Sequence, residues 1–307
     1  MLSVVVPFYN GEKWLPSLLQ SLAISIARTN EDFSIETIIV IDSEKTSLTT
    51  IEQLAKQHLH PCGIQYRIIK NTTNLGVARS RDAGMALATG DYITFIDQDD
   101  YVSEHYCNVL NDALHAVADV YLLNGIIRNM LSGKQLPVYY RMQRPHLKQL
   151  IYGNNILSPS FWVVRTEFLR NNGIHFTLPF DDFQGVDDWY YSLQIFFHSS
   201  VKLVLIKVPL IYYCLHETNY SHNLQMQFDG SIAVLKSLQH TSCPTTSKWI
   251  NARIRTFEFA KRFYLENKMF AVWQQPWLFI QFLYHYTFDP NRLIRFLHRS
   301  LIGMKIR

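Results

Sequence analysis

The 307-residue sequence predicts an α/β fold with an open, mostly parallel sheet flanked by helices. Two observations carry this prediction. Short apolar runs rich in β-branched residues alternate with longer amphipathic segments, which is typical of strand–helix–strand units. The runs are almost continuously apolar, as expected for strands that helices cover on both faces. Apolar residues make up 48% of the chain and charged residues 18%, a composition that excludes a disordered protein.

The first hundred residues contain four such strands and the three helices that connect them. The strands are expected at residues 2–6, 35–41, 64–69 and 92–96, and the helices at 12–28, 46–58 and 76–88. Pro7 is expected to stop the first strand, and Asn10-Gly11 to form the turn after it.

Residues after 102 follow a less regular pattern. Helices are predicted over 103–116, with Ser103 as the N-cap, and over 188–198; strands are predicted at 117–128, 161–164, 201–205 and 210–215. From about residue 230 the pattern is helical. We therefore expect a sheet domain at 1–225 and a helical C-terminal region at 226–307.

The formal net charge of +4 is distributed unevenly. Residues 248–307 hold 11 Lys and Arg against 3 Asp and Glu, whereas residues 1–247 hold 18 against 22. Such a basic tail indicates an anionic partner, either a membrane surface or a nucleic acid, or else a solvated helix face. The tail is also rich in aromatic residues, which suits either an anionic membrane interface or packing against the rest of the protein.

The four cysteines include no C-x-x-C pair, so the spacing of a zinc site is absent. A chain this large with so few cysteines does not have the composition of a secreted disulfide scaffold. The N-terminal apolar run is too short for a signal peptide, and no uncharged stretch is apolar enough to span a membrane. These features predict a reducing, cytoplasmic setting.

Polar side chains follow several of the predicted strands, where ligands of parallel sheets bind. Asn10, Asp42 and Asn74 follow the first three strands, and Asp97-Gln98-Asp99-Asp100 follows the fourth. Three carboxylates this close, with no Lys or Arg nearby in sequence, repel one another unless a cation joins them. Mg²⁺ or Mn²⁺ is the natural companion. The alternative is a solvated acidic turn at the start of a helix.

Three further sequence features contain residues that could act in catalysis or in ligand binding. Asp187-Asp188 lies in an aromatic-rich segment, where a carboxylate can be tuned toward a general base or can cap a helix. Arg79 and Arg81 begin a predicted helix and suit phosphate binding or a surface ion-pair face. His216 follows a strand and could join a metal already held by carboxylates. The Gly-rich phosphate loops of Rossmann dehydrogenases and P-loop NTPases are absent.

Taken together, these motifs resemble the family-two inverting glycosyltransferases of the GT-A fold. The opening segment SVVVPFYNGEKWL is similar to that family's first strand and turn. The segment NLGVARSRDAGMALATGDYITFIDQDD is similar to its central signature, ending in the D-x-D-D cluster. The resemblance is strong over about residues 2–105 and weaker to about 222. It implies a GT-A catalytic domain at 1–225.

The resemblance also implies a role for each matching residue. Asn74 and Arg81 would contact the nucleotide part of the donor, and Pro7, Tyr9 and Asp42 would line the pocket for its base and ribose. Asp97 would lie near the ribose and Asp100 beside the donor sugar. Asp99 would bind a divalent metal, whose shell His216 would complete. Asp188 would be the catalytic base.

The implied activity is metal-dependent, inverting transfer from a nucleotide-diphosphate sugar, most simply a UDP-sugar, to a hydroxyl of a saccharide or lipid-linked acceptor. No Q-x-x-R-W motif follows, which argues against a processive synthase. The family's common use implies surface-polysaccharide synthesis, such as lipopolysaccharide, with the basic tail at the inner face of the cytoplasmic membrane or packed on the core and with no nucleic acid partner. The alternatives are a sugar-phosphate nucleotidyltransferase and a non-catalytic nucleotide- or glycan-binding module.

Several positions depart from the family's pattern. Ile41-Asp42-Ser43-Glu44 replaces a motif that usually carries two acids, Asp82 replaces an Asn, and Asp187 replaces a Glu. Recognition of the base is the role that the first departure affects most.

Overall fold

The computed structural model describes residues 1–29, 33–139, 142–153, 158–180, 185–198, 200–216, 224–265 and 277. The described residues fall into two compact units. The first is formed within Met1–Arg144, Leu157–Thr177 and Ser200–Glu217, and the second within Pro145–Ile156, Leu178–Ser199 and Thr218–Arg307. The second unit thus combines two segments that interrupt the first unit with the C-terminal region. The predicted boundary at residue 225 stays a prediction.

The described secondary structure follows the predicted alternation through the first hundred residues. The strands are β1 Leu2–Phe8, β2 Ile35–Ile41, β3 Gln65–Lys70, β4 Tyr92–Phe95, β5 Tyr101–Val102, β6 Val120–Asn129, β7 Gln135–Pro137, β8 Trp162–Arg165 and β9 Leu203–Leu215. The helices are α1 Leu15–Ala27, α2 Leu48–His58, α3 Val77–Leu87, α4 Tyr106–Leu114, α5 Leu147–Tyr152, α6 Thr166–Asn171, α7 Asp187–Phe197, α8 Leu224–Gln239 and α9 Pro244–Leu265.

The strands of the first unit form one sheet in the order β3-β2-β1-β4-β8-β6-β9-β5, with β7 beside β6. The run β3-β2-β1-β4 is parallel, and so is the β6–β9 pair. The pairs β4–β8, β8–β6, β6–β7 and β9–β5 are antiparallel. β1 and β2 are buried along their whole length because they lie inside the sheet, whereas β3 is an edge strand with exposed positions. The predicted α/β fold class is confirmed.

The prediction that Pro7 stops the first strand was wrong. Pro7 is paired with Val40 in β2, and β1 continues to Phe8. Proline is tolerated in a strand where its missing N–H would have no partner. Val5 O accepts from Ile96 N on the β4 side, so Pro7, two residues on, faces the same side, where β4 has already ended.

Two predictions in the less regular region also need correction. The N-cap of α4 is His105, and Ser103 instead accepts a hydrogen bond on Oγ from the His105 N–H at 3.3 Å. The strands predicted at 201–205 and 210–215 are a single strand, β9, whose register against β6 shifts on either side of Asn124. A register shift bends a strand without ending it, and the segment between the two predicted strands contains Lys207 and Pro209, which interrupt the apolar run.

The second unit is helical in its described part. α5 packs against α7 and α9, and α8 packs against α9. Trp189 of α7 donates its Nε1–H to Leu150 O at 2.7 Å and lies edge-on to Phe257 of α9, with ring centroids 6.0 Å apart. Phe259 is 2% exposed. Two of the described aromatic residues of the C-terminal region, Phe257 and Phe259, are therefore in a packed environment.

The remainder of the basic tail, residues 266–276 and 278–307, lies outside the described residues, and the predicted membrane surface falls mainly there. Among the helices that the structure describes, none combines the length and the apolar character needed to cross a bilayer.

Candidate active site

The carboxyl ends of β1, β2 and β4 bring three predicted site segments to one edge of the sheet. The parallel register pairs Phe8 with Ile41 and Val5 with Phe95, so the residues that follow each strand leave the sheet at the same edge. Those residues are Tyr9-Asn10, Asp42-Ser43 and Asp97 to Asp100. The edge is where open α/β sheets bind ligands.

Asp42 is buried beneath the loop that joins β3 to α3. Its Oδ1 accepts hydrogen bonds from Asn71 Nδ2 at 2.7 Å and the Leu75 N–H at 2.8 Å, and its Oδ2 accepts one from the Gly76 N–H at 2.8 Å. Gly76 has φ of 87°, a conformation that favours glycine at the start of the helix. Asp42 therefore orders the loop around Asn74, whose exposed side chain also accepts from the Gly76 N–H at 3.1 Å.

Arg81 supplies the positive charge that the local sequence around the acidic cluster lacks. It extends from α3, is 5% exposed, and donates from Nη2 to Asp97 Oδ1 at 2.6 Å. Its guanidinium also lies over the Phe176 ring, 5.3 Å from the centroid. Arg81 thereby fixes one end of the acidic cluster, and its contact with the nucleotide, implied by the resemblance, stays a prediction.

Asp99 and His216 meet, as the resemblance implied for two ligands of one metal. His216 Nε2 lies 2.6 Å from Asp99 Oδ2, and the two side chains are 12% and 19% exposed. The His216 ring stacks on Trp14, with centroids 4.9 Å apart and planes inclined by 16°. Among the residues that the structure describes, no group of three or more His, Cys, Asp and Glu side chains is gathered as a metal cage.

Asp100, which the resemblance implies beside the donor sugar, is buried and hydrogen-bonded to other parts of the protein. It is 2% exposed, and it accepts hydrogen bonds from the Cys214 N–H at 2.9 Å and from Ser160 Oγ at 3.2 Å. It therefore connects the acidic loop to β9, the strand that leads to His216. Asp97 is also held by a neighbouring serine: its Oδ2 accepts a hydrogen bond from Ser158 Oγ at 3.3 Å.

Two carboxyl groups of the acidic cluster, those of Asp99 and Asp100, have raised pKa values. Burial raises the pKa of Asp99, and the nearby Asp97 charge raises that pKa further, against the opposing effect of His216. Burial likewise raises the pKa of Asp100 well above its ordinary value, with Asp99 and Asp97 adding to the effect. A cation close to these carboxylates would relieve their repulsion.

Tyr9 and Gln98 form a contact that the sequence did not indicate. Gln98 Oε1 accepts from the Tyr9 N–H at 2.8 Å, and Gln98 Nε2 donates to Tyr9 O at 2.9 Å. The Tyr9 side of the loop is thus fixed although the residue is 52% exposed. Pro7, predicted with Tyr9 to line the base pocket, is buried within β1.

Asp188 lies in the second unit, in the first turn of α7. It is half-buried, and its Oδ1 accepts a hydrogen bond from the Trp189 N–H at 2.6 Å. Asp187 beside it is 5% exposed. Trp189 is itself anchored to α5 and α9, so the backbone that carries the predicted base belongs to a packed helix.

These features define a class: an α/β sheet protein with an acidic D-x-D-D loop at the carboxyl edge of the sheet. The family model described as "Glycosyl transferase family 2" matches residues 3–173. The chain belongs to glycosyl transferase family 2, and it is a glycosyltransferase of the GT-A fold, as predicted.

Individual relatives agree with this assignment. An uncharacterized glycosyltransferase of Haemophilus influenzae is 24% identical over 220 residues, covering 70% of this chain and 69% of the relative. The poly(ribitol-phosphate) beta-N-acetylglucosaminyltransferase TarS of Staphylococcus aureus is 25% identical over 212 residues, covering 66% of this chain and 34% of TarS.

Two solved structures share the fold. The structure of TarS residues 1–349 in complex with UDP-GlcNAc superposes with a TM-score of 0.64 at 19% identity, covering 98% of this chain and 87% of that one. The mannosyltransferase PcManGT of Pyrobaculum calidifontis, in complex with GDP-Man and Mn²⁺, gives 0.58 at 15% identity, covering 98% and 84%.

Proposed function

We propose that this glycosyltransferase moves a sugar, with inversion, from a nucleotide-diphosphate sugar to a hydroxyl of a saccharide or lipid-linked acceptor, without processive elongation. The observation that carries the proposal is the 2.6 Å contact between His216 and Asp99, a member of the acidic cluster at the carboxyl edge of the sheet. The donor class is supported by TarS and PcManGT, which share the fold and were solved in complex with UDP-GlcNAc and GDP-Man. A UDP-sugar is the first donor to test, and surface polysaccharide is the expected product.

A divalent metal fits the donor atoms of this pair. Asp99 offers a carboxylate oxygen and His216 an imidazole nitrogen, a set suited to Mn²⁺ and acceptable to Mg²⁺. An ion held by Asp99 and His216 would also attract the negatively charged diphosphate of the donor. When bound, such an ion supplies electrostatic stabilisation of the diphosphate leaving group. The presence of Mn²⁺ in the PcManGT complex supports this choice.

The protein's own groups would orient the donor. Arg81 forms its ion pair with Asp97. Among the described residues, Asp99 and Asp100 have no such ion pair with an arginine. The exposed Tyr9 ring offers an aromatic surface to a nucleobase, while Asp42 and Asn74 order the neighbouring loop. Donor binding would therefore depend on a largely preformed pocket edge, which reduces the entropy lost on binding.

Asp188 would take the proton from the acceptor hydroxyl. That oxygen then attacks the anomeric carbon as the bond from this carbon to the diphosphate breaks, and the nucleoside diphosphate leaves. Asp188 lies in the first turn of α7, and a carboxylate within hydrogen-bond reach of the acceptor hydroxyl can act as a general base. Attack opposite the leaving group inverts the anomeric configuration.

The proposal is tested with a panel of UDP-, GDP- and dTDP-sugars, in the presence of Mg²⁺ or Mn²⁺ and a mixture of saccharide acceptors. We expect release of free nucleoside diphosphate with one donor and a product of inverted anomeric configuration by NMR. Release of pyrophosphate would instead identify a nucleotidyltransferase. Binding of a donor without turnover across the panel would support a binding module and contradict the proposal.

A further inference from the structure

Gln98 lies between the two motif carboxylates Asp97 and Asp99. Unlike them, it binds the loop that follows β1. Its amide pairs with both backbone polar groups of Tyr9, accepting from the N–H at 2.8 Å and donating to the carbonyl oxygen at 2.9 Å. Such a pairing uses the donor and the acceptor of a glutamine amide at once, a match that neither a carboxylate nor an apolar side chain reproduces.

The loop that Gln98 holds begins directly after β1 and contains constrained backbone. Asn10 adopts φ of 48°, in the left-handed region, and its Oδ1 accepts from Ser43 Oγ at 2.5 Å. Both polar backbone groups of Tyr9 are satisfied by Gln98, yet the residue as a whole is 52% exposed. Tyr9 is therefore an exposed residue whose backbone is fixed, by Gln98 directly and by the Asn10–Ser43 contact at the next residue.

Gly11 shows how closely Gln98 fits against this loop. A Cβ added to Gly11 would lie 2.2 Å from Gln98 Cδ and 2.4 Å from its Oε1. The three nearest atoms all belong to the Gln98 amide. The backbone conformation of Gly11 is not in the left-handed region that restricts other residues, so the demand for glycine here comes from the position of Gln98.

We propose that Gln98 is a positioning residue for donor binding: its amide clamps the Tyr9 backbone and so presents the Tyr9 side chain to the base of a nucleoside diphosphate. This inference rests on the proposed function for the identity of the ligand. Gln98 acts through Tyr9, and it acts on the base end of the donor, whereas the carboxylates on either side of it act on the metal and ribose end.

The test measures affinity for UDP alone, in EDTA, so that metal binding by the adjacent carboxylates does not contribute. Gln98→Met keeps the length of the side chain and removes both hydrogen bonds. We expect its Kd for UDP to rise about 5- to 30-fold, the effect of one to two neutral hydrogen bonds. Hydrogen exchange of the 9–14 segment should accelerate. Gln135→Met, at an exposed position of strand β7, is the matched control and should leave both values unchanged.

A double-mutant cycle separates the clamp from a general disturbance of the acidic loop. Gly11→Ala should weaken UDP binding in the wild-type background because the added methyl group displaces the Gln98 amide. In a Gln98→Ala background the same change should have no further effect, since the atoms it would strike are gone. Additive losses in the double variant would overturn the proposal, as would an unchanged UDP affinity in Gln98→Met.

The kinetic readout distinguishes this inference from the proposed function. With an active donor, Gln98→Met should raise KM for the donor while kcat and the Mn²⁺ concentration for half-maximal rate stay close to wild type. A shift in the Mn²⁺ requirement without a change in UDP affinity would show that Gln98 acts through the carboxylates, and would refute the clamp. If the wild-type protein itself binds no nucleoside diphosphate, the proposed function fails first.

Discussion

Glu36 is the acid whose removal should change the stability of the sheet most clearly. It lies in β2, is 4% exposed, and accepts hydrogen bonds from Ser3 Oγ at 2.6 Å, the Thr89 N–H at 2.6 Å, Thr89 Oγ1 at 2.8 Å and Arg67 Nη2 at 2.6 Å. This one carboxylate thus joins β1, β2, β3 and the end of α3. We expect Glu36→Gln to fold but to be less stable.

The magnitude follows from the pKa of Glu36. Burial alone would raise this pKa, but the hydrogen bonds from Ser3, Thr89 and Arg67 together lower it from 4.5 to about 2. At 1.36 kcal/mol per pH unit, this difference corresponds to about 3 kcal/mol. Because Arg67 is 43% exposed and therefore screened by solvent, we expect a measured loss of about 2–3 kcal/mol at pH 7.

The sign of the pH dependence is determined by the direction of that shift. The folded protein holds Glu36 ionised more strongly than the unfolded chain does, so the stabilisation is complete above pH 4.5. It is lost as the pH falls from 4.5 to about 2. The free energy of unfolding of Glu36→Gln should therefore approach that of wild type over this interval.

Urea unfolding at pH 7 and pH 3, followed by circular dichroism, measures both effects. Glu44→Gln, which removes an exposed carboxylate just beyond the same strand, is the matched control and should differ from wild type by less than about 0.5 kcal/mol. The reasoning fails if Glu36→Gln is destabilised equally at both pH values, or no more than Glu44→Gln at pH 7.

Three further predictions follow, two on the candidate site and one on the stability of the fold. Asp188→Asn should lower kcat by at least about 100-fold while leaving the Kd for UDP unchanged, because it removes the proton acceptor and not a donor contact; a normal kcat would exclude Asp188 as the base. Asp99→Ala should abolish the stimulation of UDP binding by Mn²⁺, measured by calorimetry with and without EDTA; retained stimulation would place the metal elsewhere. Asp82 accepts from the Phe176 N–H, the Thr177 N–H and Thr177 Oγ1 at 2.5–2.8 Å, all donors. Asp82→Asn would turn an NH₂ group toward one of them and should cost about 1–3 kcal/mol of stability in urea unfolding; no loss would contradict this assignment.

The strand-end residues could be predicted from the sequence because parallel strands bring their carboxyl ends to one edge. Asp42 and the Asp97–Asp100 cluster follow apolar runs, and that position alone indicates a shared edge. The approach of His216 to Asp99 could not be deduced from spacing, since 117 residues separate the two, and it was implied only by the family resemblance.

Contacts between a side-chain amide and the backbone of a loop produce no periodic pattern in the sequence. Gln98 and Tyr9 are 89 residues apart, and nothing in the sequence marks Gln98 as a partner of a backbone segment. The ion pair of Arg81 with Asp97 could not be predicted either, because the two residues are 16 positions apart and only the fold brings them together. The rule that proline ends a strand failed at Pro7, because β4 ends before it on the side that the proline nitrogen faces.

The pairing of β5 with β9 has a consequence for the order in which the protein folds during synthesis. Tyr101 pairs with Tyr212, and Asp100 accepts from the Cys214 N–H, so the acidic loop is anchored to a strand translated more than a hundred residues later. Contacts of such long range are closed late, because the entropy of a large loop must be overcome first. A ribosome-bound nascent chain that has emerged only to β8 would have the parallel strands β1 to β4 but no His216, and its acidic cluster would still lack the strand that anchors it.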